Sequence, residues 1–128
     1  MSDKNPCPPH PVLPAYYENG SARVGFVRSI FDRTARYYDR INSIFSLGSG
    51  KWYRRWMLRM AGLRQGHRLL DVATGTGLVA REAATLTDPA NIIGLDMSAG
   101  MLAECRSKLP IQVVQADAQA LPFADNSM

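Results

Sequence analysis

Apolar residues follow two different rhythms along this chain. Up to about Gly20 there is no helical period, and Pro6, Pro8, Pro9, Pro11 and Pro14 crowd the segment. That composition predicts an extended or disordered lead, with the Tyr16-Tyr17 pair as its one candidate for packing against the body. From about Ala22 a helical period sets in. Val27, Phe31, Ala35 and Tyr38 fall at i, i+4, i+8 and i+11, while Arg28, Arg33 and Arg36 lie largely off that face. The pattern weakens near Asp39, where a break is expected, and resumes through Ile41 and Phe45. Leu47-Gly48-Ser49-Gly50 reads as a turn. A second helix follows, with Trp52, Trp56 and Met60 on one expected core face, Arg54, Arg55 and Arg59 on the others, and Gly62 and Gly66 bracketing its end.

Beyond residue 67 the apolar runs shorten. Leu69-Leu70-Asp71-Val72 is an apolar strand carrying one acid, and Ala73-Thr74-Gly75-Thr76-Gly77 is a glycine-rich turn behind it. Residues 78–86 then predict a helix whose stripe is Val79, Ala83 and Leu86, stopped by Thr87-Asp88-Pro89. A second strand spans 91–95. Ser98 is placed to cap a helix with Leu102, Cys105 and Leu109 on its buried face, and Pro110 ends it. A third strand spans 111–116, and Leu121-Pro122-Phe123 is expected to pin the following loop. The order is helices and then β-α-β-α-β, without internal repeats. It divides the chain into a lead (1–20), a helical cover (21–66) and the first half of an α/β domain (67–128). Strand, Gly loop and helix in succession place a ligand at the carboxyl end of a strand in an open sheet. The helices that precede the first strand are positioned to cover that end.

Composition narrows the class. With 128 residues, 46% of them hydrophobic, the chain is one globular domain at most. No run approaches the roughly 18 apolar residues of a membrane span, and no signal-peptide core is visible, so the cytoplasm is the expected compartment. Cys7 and Cys105 have no metal or redox spacing, and no metal site is expected. The net charge of +4 conceals an asymmetry. Residues 1–68 hold twelve Lys/Arg against four Asp/Glu, whereas residues 69–128 hold three against seven. A basic half can bind nucleic acid or anionic lipid. Here the basic residues are spread over helix faces and interleaved with aromatics, which favours solvated surfaces of a cover and no nucleic-acid partner.

The Gly loop alone is ambiguous, because Gly75-Thr76-Gly77-Leu78-Val79-Ala80 also fits a dinucleotide fingerprint. Two further acids separate the readings. Asp96 follows the second strand, where a carboxylate can accept from both ribose hydroxyls, and Asp117 follows the third. With Asp71 they make three acids at three successive strand ends, and the third has no counterpart in the dinucleotide fingerprint. An NAD-linked oxidoreductase is therefore the rival reading, and a truncated non-catalytic fragment is the non-enzyme alternative.

These residues resemble a class I S-adenosylmethionine (SAM) methyltransferase, an α/β, Rossmann-like fold. The resemblance sharpens with Phe31-Asp32, Tyr38-Asp39, Asn42, Ser46 and Gly48, followed by Asp71 to Gly77, Gly94-Leu95-Asp96-Met97-Ser98, Met101-Leu102, Asp117-Ala118 and Ala120-Leu121-Pro122-Phe123. Together they are similar to the ubiquinone/menaquinone biosynthesis C-methyltransferase family. The resemblance implies a SAM cofactor and methyl transfer to a ring carbon of a quinone precursor or similar small aromatic molecule. Association with a membrane surface would come only through a lipophilic substrate. It implies that Asp96 holds the ribose, Met97 packs on adenine, Asp117 and Ala118 read the adenine edge, Ala73, Thr74, Gly75 and Gly77 face the methionine moiety, and Asp71 assists its amino group. Tyr38, Asp39 and Asn42 are implied near the acceptor, and no catalytic base is assigned. The chain departs from the family signature at Ile41, Gly50 and Tyr53, where Met, His and Trp are expected. The family's sheet has seven strands, of which three are expected here. The chain is thus expected to be the N-terminal part of a longer enzyme and inactive by itself.

Overall fold

The structure, a computed structural model, describes residues 13–46 and 49–128. Helix α1 spans Gly20–Ser46 and α2 spans Ser49–Met60. Strand β1 (Leu69–Val72), helix α3 (Leu78–Ala83), strand β2 (Ile92–Asp96), helix α4 (Ala99–Lys108) and strand β3 (Gln112–Gln115) follow. The proline-rich residues 1–12 and Leu47-Gly48 of the expected turn lie outside the described residues.

Asn19 starts α1: its Oδ1 accepts from the Ala22 N–H (2.8 Å) and the Ser21 hydroxyl (2.7 Å), an N-cap that begins the helix at Gly20, two residues ahead of the expected start. The helix runs through Asp39 without the expected break. Nothing between Phe26 and Ser46 forbids helix, since the segment holds neither Gly nor Pro. Tyr17 does dock, buried with its ring 6.0 Å from that of Phe26. Helix α2 ends at Met60, and Gly62 behind it has a φ of 86° that allows the Leu63 N–H to close back on the Leu58 carbonyl (3.0 Å).

The three strands are parallel in the order β1-β2-β3. Leu69 faces Ile92 and Val72 faces Leu95, while Ile93 faces Gln112 and Asp96 faces Gln115. All three carboxyl ends therefore emerge on one side. The core lies between the sheet and α3 and α4, where Ala80, Ala83, Ile92, Cys105 and Ile111 are buried against Leu58, Leu69, Leu109 and Val113. Ser98 caps α4 by accepting from the Met101 N–H (3.1 Å), and the helix stops at Lys108 ahead of Pro110. Helix α3 is shorter than expected: it ends at Ala83, and Leu86 lies in the following turn, half-buried. In the last loop Leu121 is exposed and only Phe123 is half-buried, so the expected pin rests on Phe123. The Arg68 guanidinium donates to the Ser127 carbonyl (2.8 Å), which brings the last residues back beside the start of β1.

One expectation fails in α2. Trp52, Trp56 and Met60 stay 70%, 46% and 71% exposed among the described residues, the two indoles stacked on each other at 6.3 Å. The helix turns Arg55 and Leu58 inward instead. Its neighbour α3 presents Glu82, whose side chain is 4% exposed, and Arg55 donates to it from Nε (3.0 Å) and Nη2 (2.8 Å). A buried carboxylate needs a cation more than an apolar face needs a cover, so the ion pair selects the face.

Candidate functional site

A cleft of about 360 Å³ opens over the carboxyl ends of the strands. Its floor is built by the turns that leave them: Ala73 and Gly75 after β1, Asp96 and Met97 at the end of β2, and Ala116, Asp117 and Ala118 after β3. Leu95 and Met101 add apolar surface, and Phe31 and Tyr38 of α1 form the opposite wall. That volume lies within the roughly 300–1,000 Å³ of small-molecule sites, and the lining is mostly apolar with a few carboxylates, as such sites are.

The Gly loop owes its shape to left-handed residues. Ala73, Gly75 and Gly77 have φ of 59°, 58° and 85°. Gly77 has no alternative: a Cβ there would lie 2.7 Å from both Cys105 Sγ and Leu109 Cδ1. Gly75 is different, since a Cβ there meets nothing within 4 Å; its lack of a side chain leaves the cleft free for a ligand. The Thr74 N–H bonds to the Leu95 carbonyl (2.9 Å) and the Gly77 N–H to the Thr74 carbonyl (2.9 Å), which fixes the loop over β2.

Asp96 ties the two turns together. Its Oδ2 accepts from the Gly75 N–H (2.8 Å) and its Oδ1 from the Ser98 N–H (2.9 Å). A carboxylate has about four lone-pair sites, so two remain for a vicinal diol in the cleft. Asp117 accepts from the Gln119 N–H (2.8 Å), and the Gln115 amide donates to the Met97 carbonyl (3.0 Å), which links the second and third turns.

Of the nine residues assigned to a cofactor, Ala73, Gly75, Asp96, Met97, Asp117 and Ala118 line this cleft. Asp71, Thr74 and Gly77 do not line it. The Thr74 hydroxyl donates to Asp71 Oδ2 (2.7 Å). Burial pushes the Asp71 carboxyl above its usual value, bonds from Thr74 and the Ala80 backbone oppose that, and the Asp96 charge adds to it. Of the three acceptor-side residues, Tyr38 lines the cleft. Asp39 and Asn42 line a smaller depression of about 50 Å³ with Lys51, Arg54 and Arg81. Phe31, Leu95, Met101 and Ala116 line the cleft but were not among the sequence-derived site residues. The spacing of Phe31 and Tyr38, seven apart on one helix, was the available signal for the first of them.

Comparison with known proteins agrees with this geometry. The ubiE/COQ5 methyltransferase family matches residues 18–128. Demethylmenaquinone methyltransferase of Beutenbergia cavernae is 41% identical over 102 residues, covering 79% of this chain and 42% of that protein. The ubiquinone/menaquinone biosynthesis C-methyltransferase UbiE of Coxiella burnetii is 36% identical over 108 residues, covering 78% of this chain and 43% of that protein. Among solved structures, the DhpI–SAM–HEP complex superposes with a TM-score of 0.57 at 27% identity, over 78% of this chain and 45% of that one. The DhpI complex with S-adenosylhomocysteine (SAH) gives 0.55 at 26% identity, over 70% and 42%. The chain thus spans about two fifths of the length of the curated relatives it matches.

Proposed function

Because the chain belongs to the ubiE/COQ5 methyltransferase family, we propose that it carries the cofactor half of a SAM-dependent C-methyltransferase acting on a small aromatic acceptor, a quinone precursor, in the cytoplasm. The observation that carries the reading is the convergence of Asp96, Asp117 and the open Gly75 corner on one cleft. In this reading Asp96 accepts from the ribose hydroxyls with its two unfilled lone pairs. Met97 and Met101 pack the adenine faces, and Asp117 with Ala118 meets its edge. Residues 73–77 border the methionine moiety. Asp71, held beneath the loop by Thr74, sets the loop's shape and orients the amino-group end through it.

When bound, the cofactor supplies an electrophilic methyl on a sulfonium. What this chain contributes is alignment: the Gly loop and Asp96 fix one reactant while Phe31 and Tyr38 wall the space beside it, and positioning of this kind carries much of the rate in a displacement. The acceptor's ring carbon becomes nucleophilic when its neighbouring hydroxyl loses a proton. The basic side chains spread over α1 and α2 belong to the cover and bind no nucleic acid. Against a dinucleotide, the third acid at Asp117 supports SAM.

Calorimetric titration with SAM, SAH and NAD tests this. SAM and SAH should bind and NAD should not, and Asp96→Ala should weaken SAM roughly ten- to hundredfold, the value of a charge-assisted bond. Binding of NAD without SAM would return the oxidoreductase reading.

A further inference from the structure

Helix α1 covers the cleft with little apolar support. Ala35, 3% exposed, is its only fully buried side chain among the described residues, and Val27, Phe31 and Tyr38 remain over a third exposed. Polar bonds hold it instead, and they come from one face. Asp32, Ala35 and Asp39 stand at i, i+3 and i+7, a single stripe along the helix. Asp32 Oδ1 accepts from the Ser98 hydroxyl and the Gly100 N–H (2.9 Å), at the start of α4. Asp39 Oδ1 accepts from the Thr76 hydroxyl in the Gly loop, and its Oδ2 lies 2.9 Å from Lys108 Nζ and 3.6 Å from Arg81. The backbone follows the same contact: a Cβ on Gly100 would lie 2.8 Å from Asp32 Cα, so the two helices touch where the first carboxylate bonds. Phe31 and Tyr38, each one position before a clasping aspartate, are turned about 100° from that stripe and reach the cleft.

We propose that Asp32 and Asp39 are positioning residues, a pair of clasps that fix the rotation of α1 on the two turns bordering the cleft and thereby hold Phe31 and Tyr38 as its wall. Asp32 grips the turn after β2, whose Asp96 and Met97 line the cleft, and Asp39 grips the loop after β1 through Thr76. Asp39 therefore acts on the cofactor side through the Gly loop. This assignment rests on the methyltransferase reading of the cleft for its consequence, though not for its geometry. The clasps are ionised under neutral conditions. The Ser98 and Gly100 bonds hold the Asp32 carboxyl below its usual value. At Asp39 burial works the other way, and the Thr76 and Lys108 bonds with the Lys108 and Arg81 charges outweigh it.

The test pairs hydrogen exchange of the α1 amides with SAM titration in the full chain. Thr76→Val keeps the side chain's shape and removes its hydroxyl, and Asp39→Asn removes the charge. Each should speed α1 exchange and weaken SAM about tenfold. Thr76→Ser should restore both. A circular-dichroism melt identifies any variant that fails to fold, and Asp39→Asn, on a helix outside the core, serves in its place. Unchanged α1 exchange in folded Thr76→Val and Asp39→Asn overturns the clasp. Faster exchange with unaltered SAM affinity overturns its positioning role. Wild-type chain that binds no SAM, with the exchange pattern as expected, removes the cofactor assignment of this cleft and leaves the clasp standing.

Discussion

The β-α-β-α-β half and the two leading helices are held by different forces. In the sheet half, Ala80, Ala83, Ile92 and Cys105 are fully buried, and a methyl group added at Gly77 has nowhere to go. In the helical half, most large apolar side chains of α1 and α2 face outward, and the attachment runs through Asp32, Asp39 and the Arg55–Glu82 pair. Apolar packing is non-directional and tolerates small rotations. Ion pairs and hydrogen bonds to the backbone are directional, so they fix how a helix is turned as well as where it lies. The half that forms the floor of the cleft is thus a packed scaffold, and the half that walls it is clipped onto it.

Four experiments would sharpen or break that contrast. The largest effect is expected at Gly77→Ala, which combines a left-handed φ of 85° with two contacts at 2.7 Å. A loss of about 3 kcal/mol, with disruption of the Gly loop, should appear in urea unfolding. A loss under 1 kcal/mol would mean the core yields more easily than close packing allows.

Next comes Arg55→Met, which strands the Glu82 carboxylate. Breaking a fully buried pair costs about 3–5 kcal/mol. Because the Arg55 side chain is 43% exposed and water reaches it, about 2 kcal/mol is expected here, with α2 loosened first. The double variant Arg55→Met with Glu82→Gln should recover most of it. No recovery would show that Arg55 matters through its packing instead.

Acid should separate the halves by sign. Asp32 and Asp39 have folded-state values below 3.8, so their stabilisation is present above that pH and is lost as pH falls through the folded values. Asp71 lies above 3.8, so its contribution runs the other way: the folded state gains from it as pH falls into the window between the folded value and 3.8. Hydrogen exchange read below pH 4 should show α1 opening while β1 and β2 stay protected. Simultaneous opening would mean the two halves share one cooperative unit at acid pH.

The smallest effect is expected at Trp52→Ala. With the side chain 70% exposed and stacked on Trp56, thermal unfolding of the chain should shift by about 0.5 kcal/mol or less. A larger loss would show that the indole pair supports α2 after all.

Much of this molecule was legible from the sequence because the relevant physics is local. The Gly loop declared itself in Gly75 and Gly77, which tolerate left-handed backbone, and Ser98 and Pro110 marked the two ends of α4 by capping and by the missing N–H. The three strand-end acids could be read because each strand and its turn are contiguous in the chain, and parallel pairing then brings Asp96 and Asp117 to one cleft. Other features were beyond any local signal. Periodicity put Trp52, Trp56 and Met60 on one face, yet it could not say that α3 would present Glu82 to the arginine face. The contacts of Asp39 were equally out of reach. Its partners Thr76, Arg81 and Lys108 are 37 to 69 positions away, and only folding sets them around one carboxylate. Apolar spacing determines which side chains share a helix face, because the helical repeat is a property of the backbone. Which face turns inward is decided by the charges and carbonyls waiting on the neighbouring element, and those are assembled only in three dimensions.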